Sequence, residues 1–66
     1  MQMWIEVKKA RTLIVAEMWK DLFEGEGVPT RLLLDPSSAK EGEAGTYRVL
    51  IPRDRDHVIA EVLRKI

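Results

Sequence analysis

The side chains with the chemistry for catalysis are few and far apart. His57 is the sole histidine, and there is no cysteine. Thiolate nucleophiles, disulfides and cysteine-based zinc sites are therefore excluded, and a histidine-rich metal centre or a Ser-His-Asp triad lacks material. His57 precedes Glu61 by four residues, the spacing of an exposed pair across one helical turn, and is read as such rather than as a general acid or base. Asp54 and Asp56 stand at the start of a terminal helical pattern. Carboxylates there accept backbone N–H bonds, so Asp54 is assigned a capping role instead of metal ligation. Gly25, Gly27, Gly42 and Gly45 do not form the strand-to-helix glycine loop that cradles phosphates. The chain opens Met1-Gln2-Met3 and so offers no N-terminal proline base. The expectation is a protein that is not an enzyme, with no catalytic residue, no metal and no cofactor.

Binding chemistry has more to work with. The polar stretch from Asp35 to Gly45 carries Ser37, Ser38 and Lys40, which suit an anion or a protein partner when Arg31 and Arg48 lie nearby. Trp4, Leu33 and Leu50 are the apolar anchors expected on the same sheet surface, where Arg48 can pair with Glu6. They are assigned to an interface between subunits.

These assignments depend on the elements that carry them. Trp4 to Lys8 alternates in character and reads as a strand, with Met3, Ile5 and Val7 on one face and Trp4 and Glu6 on the other. Thr12 is a suitable N-cap for a helix from Leu13 to Glu24; Gly27 fits the left-handed position after its end, and Pro29 prevents continuation. Glu17, Lys20, Asp21 and Glu24 occupy one narrow face of that helix. Its apolar residues fill an arc of about 200°, twice the width needed to cover a sheet from one side. Something beyond its own sheet should cover it. Val28 to Leu34 reads as a second strand and Thr46 to Ile51 as a third and strongest, stopped by Pro52. From Asp56 to Ile66, Val58, Ile59, Val62, Leu63 and Ile66 share a helical face.

The order β-α-β-β-α makes this a single α+β domain over residues 1–66, of the ferredoxin-like, split β-α-β kind. A β-α-β crossover leaves the first two strands parallel, with the third inserted antiparallel between them. The predicted sheet order is therefore first, third, second, with both helices on one face.

Composition narrows the partners. Eleven Lys and Arg balance eleven Asp and Glu, which removes the positive field of a non-specific nucleic-acid binder. Tyr47 should point inward, leaving Trp4 as a lone aromatic on the open sheet face, too little for a base-stacking platform. The longest strictly apolar run, Leu13 to Ala16, falls far short of the roughly 20 residues that span a bilayer. No secretion signal is discernible. No nucleic acid, no membrane and a cytoplasmic address are the expectations. A chain this small without disulfides gains stability from self-association, so a homo-oligomer is expected.

The helix with Ala16, the run Leu22-Phe23-Glu24-Gly25-Glu26-Gly27-Val28-Pro29, and Val49-Leu50-Ile51-Pro52 followed by Asp56, Ala60 and Leu63 together resemble a bacterial family of unknown function labelled prokaryotic signal-transducing proteins. Its typical Leu-Glu-x-x-Gly-Ile-Pro is represented by Phe23 to Pro29, with Val28 where isoleucine is usual. The resemblance covers nearly the whole chain and implies a fold similar to PII-like regulatory domains, in which a loop between the second and third strands contacts partners. That position is the Asp35 to Gly45 loop here, shorter than in those regulators, and no fourth strand follows the last helix. The implied function is a regulatory module that recognises an unknown protein or small molecule. The alternative is a structural interaction module that self-associates through its open sheet face.

Overall fold

The computed structural model describes residues 3–35 and 45–66. Its elements are β1 (Trp4–Ala10), α1 (Leu13–Gly25), β2 (Arg31–Leu34), β3 (Tyr47–Pro52), a 3-10 turn (Arg53–Arg55) and α2 (Asp56–Arg64). The three strands form one sheet in the order β1-β3-β2, with β3 antiparallel to both neighbours. The predicted α+β architecture and strand order are those observed. The β-branched and aromatic residues of Tyr47 to Ile51 suit the central position, where both strand edges are hydrogen-bonded.

Helix α1 is bounded by signals that act locally. Thr12 Oγ1 accepts a hydrogen bond from Val15 N at 3.2 Å, satisfying one of the amides that a helix start leaves without an intrahelical partner. At the other end Gly27 has φ +84, a conformation that glycine adopts without a Cβ penalty. Gly27 N donates to Glu24 O at 2.9 Å and Val28 N to Phe23 O at 3.0 Å. That reciprocal pair is a Schellman closure, and the buried Phe23 and Val28 supply its hydrophobic contact. Because Val28 N is used there and Pro29 has no N–H, the strand predicted from Val28 begins only at Arg31. Thr30 is buried and donates its hydroxyl to Val28 O.

The last helix starts at Asp56 as expected, but its predicted cap needs correction. Pro52 leads into the 3-10 turn, and α2 follows from Asp56 with no side-chain capping bond. Asp54 falls inside the 3-10 turn and does not cap α2. Arg55 reaches from the turn to Gly27 O at 3.3 Å, tying it to the end of α1.

One irregularity rearranges the first strand. Glu6 pairs with Leu50 while Lys8 pairs with Val49, so Val7 and Lys8 together oppose one residue of β3, which is a β-bulge. The strand runs on to Ala10, past the predicted end at Lys8. After the bulge Lys8 and Ala10 share the helix side with Ile5 and Val7, and Lys9 takes the opposite side. Ala10 is consequently buried, and Lys8 places its ammonium 4.8 Å from the centre of the Trp19 ring on α1. The core between sheet and helices is Ala10, Ala16, Phe23, Val49, Ile51 and Ile59, continued by Val28.

Candidate functional site

The open face of the sheet holds five of the residues expected to bind. Register places Trp4 and Glu6 from β1, Arg48, Leu50 and Pro52 from β3, and Arg31 and Leu33 from β2 on this side. Arg48 Nε donates to Glu6 Oε1 at 2.7 Å, the predicted cross-strand pair. The Arg31 guanidinium lies 4.2 Å from the centre of the Trp4 ring, within cation–π range. Since Trp4 and Arg31 belong to the two outer strands, their contact passes across β3. Leu50 beneath it is only 6% exposed and Pro52 is buried. The expectation of Leu50 as an accessible interface anchor is therefore corrected: its own chain covers it. Trp4 is half-buried, and Leu33 remains exposed.

Arg31 and Arg48 are thus brought to one surface, each already engaged by a neighbour. An anion arriving there would compete with Glu6 for Arg48 and with the Trp4 ring for Arg31. Ser37, Ser38 and Lys40 lie outside the described residues. The base of their segment is closed by Asp35 N donating to Thr46 O at 2.8 Å. His57 does not form the pair expected with Glu61, whose carboxylate instead accepts from Arg64 Nη2, one turn further along α2.

A second surface is built on the helices. The inner side of α1 is filled by Ala16 and Phe23, with Trp19 and Leu22 half-buried at its flank. Ile14 and Met18, one turn apart, point away from the sheet and are 75% and 64% exposed. Val15, Met18, Trp19, Leu22 and Ile66 line a depression of about 410 Å³. Leu22 and Ile66 also border a wider groove of about 670 Å³ between the helices, whose far wall is Val58 and Val62, with Lys65 at the rim. The floor is apolar and the margin charged, the usual arrangement of a recognition surface. Trp19 packs against two neighbours, Lys8 with its ammonium over the ring and Phe23 with ring centres 5.7 Å apart.

Neither Ile14 nor Met18 was singled out as a site residue from sequence. The signal was the 200° apolar arc, which said that α1 has more apolar surface than one sheet can cover but not which part stays bare.

Among the described residues no three His, Asp or Glu side chains converge as a metal site would require. No described helix is long and apolar enough to cross a membrane. No family model, curated protein or solved structure matches the chain.

Proposed function

We propose that this protein is a small non-catalytic binding module that recognises its partner through the apolar face of α1 and the groove between α1 and α2. The observation that carries the reading is the exposure of Ile14 and Met18 beside an apolar groove with charged margins. Contiguous exposed apolar surface is costly in water and marks interaction sites when rimmed by polar groups. The resemblance to bacterial signal-transducing proteins supports a regulatory setting, in which binding rather than reaction is the output.

Anilinonaphthalene sulfonate, a fluorescent probe of apolar surface, tests this reading at low protein concentration. The wild-type chain should enhance the dye's emission, and Met18→Glu should lose most of that enhancement while keeping its circular dichroism. Equal enhancement by a folded Met18→Glu chain would move the recognition surface elsewhere.

A further inference from the structure

We infer that the occupant of the α1 face is a second copy of this chain, placed so that α1 of each copy lies over α2 of the other. This deepens the proposed function and rests on it. Two observations carry the inference: the area available and the distribution of charge around it.

The exposed fractions of Ile14, Val15, Met18 and Ile66 add to about two and a half whole apolar side chains. Half-buried Trp19 and Leu22 enlarge the patch. At roughly 60–120 Å² for each large apolar side chain, a chain presents on the order of 300 Å² of apolar surface. Interfaces are about 60% apolar, so the footprint with its polar margin is roughly 500 Å² per chain, or about 1,000 Å² for a pair. That reaches the lower limit for a specific contact. The expected complex is a weak dimer, with Kd on the order of 1–100 µM.

Charge selects the geometry. Glu17, Asp21 and Glu24, with Lys20 among them, form a net acidic stripe along one side of the patch. On the other side the groove margin holds Lys65 together with Glu26 and Glu61; Glu61 is neutralised by Arg64, while Lys65 has no ion-pair partner among the described residues. Packing α1 on α1 about a twofold axis perpendicular to the helix would oppose the two acidic stripes, which is unfavourable. A twofold axis running along the groove exchanges the two sides, so the acidic stripe of each copy meets Lys65 of its partner. Such an interface is self-complementary, as a closed dimer requires.

Sedimentation equilibrium from low micromolar to near-millimolar protein tests the inference. The mass should rise from 7.6 kDa toward twice that value. Met18→Glu should raise Kd at least about tenfold with unchanged circular dichroism, since it places a charge in the centre of the contact. Glu17→Lys with Asp21→Lys should weaken the dimer, and so should Lys65→Glu; combining all three should restore at least part of the lost affinity. A dimer indifferent to these reversals would overturn the arrangement. A wild-type chain that stays at 7.6 kDa throughout would overturn self-association. If that monomer still enhances the dye and Met18→Glu does not, the groove serves a different partner and the proposed function stands. If neither enhances it, both readings fail together.

Discussion

The two outward surfaces of this domain start from similar material and differ in how much of it they cover. The sheet face carries Trp4, Leu33 and Leu50 among charged neighbours, and α1 carries Ile14, Val15 and Met18 beside an acidic stripe. On the sheet, Arg31 lies over Trp4, Arg48 reaches Glu6, and Leu50 is only 6% exposed, while Leu33 on the outer strand stays exposed. On α1 nothing covers Ile14 or Met18 among the described residues. The difference comes from geometry. A central-strand residue has neighbours on both sides at roughly 5 Å, close enough for long side chains to fold across it. The outermost line of a helix lying on a sheet has only its own turns beside it, and those hold apolar residues or carboxylates. A similar apolar side chain can therefore be covered on a central strand and left bare on a helix.

The contrast would be broken most severely by Trp4→Ala, which removes the half-buried ring that Arg31 lies over on the sheet face. We expect a loss of about 2 kcal/mol, less than for a fully buried tryptophan because Trp4 is half-exposed. Met18→Ser, measured alongside by urea denaturation below the dimerisation range, should stay within about 0.5 kcal/mol because the residue is 64% exposed. Equal losses would mean that the faces do not differ as described. A smaller effect belongs to the cation over the ring: Arg31→Ala should cost about 1 kcal/mol in the same assay, and Arg31→Lys should retain part of it. Smallest is the Glu6–Arg48 pair, with side chains 30% and 42% exposed. A double-mutant cycle should return about 0.5 kcal/mol in dilute buffer and nearly nothing at about 1 M salt. A coupling that survives high salt would show a pair more deeply enclosed than its exposure indicates.

Much of the architecture is legible residue by residue. Thr12, Gly27 and Pro29 mark the limits of α1 because caps and left-handed positions depend on one side chain and its nearest amides. Pro52 marks the end of β3 for the same reason. Errors arise where one local signal competes with another. Val28 has a β-branched side chain, but its amide is drawn into closing α1, so β2 starts later. Glu61 has two candidate partners, and the three-residue spacing to Arg64 prevailed over the four-residue spacing from His57. The bulge at Val7 left no mark in the alternation of Trp4 to Lys8, yet it turns Lys8 toward Trp19.

The candidate site divides along the same line. By itself the sequence determined that α1 carries apolar residues over too wide an arc for one sheet, that the strands take the order β1-β3-β2, and that Arg48 has Glu6 within reach. These follow from periodicity, connectivity and charge, which are properties of neighbours along the chain or of a topology with few options. Only the tertiary structure decided that Trp4 and Arg31 meet across β3, that Leu50 is buried, and that Ile14, Met18 and Ile66 are the most exposed large apolar residues among those described. Both outcomes depend on the distance between side chains from separate elements, and that distance is set by packing.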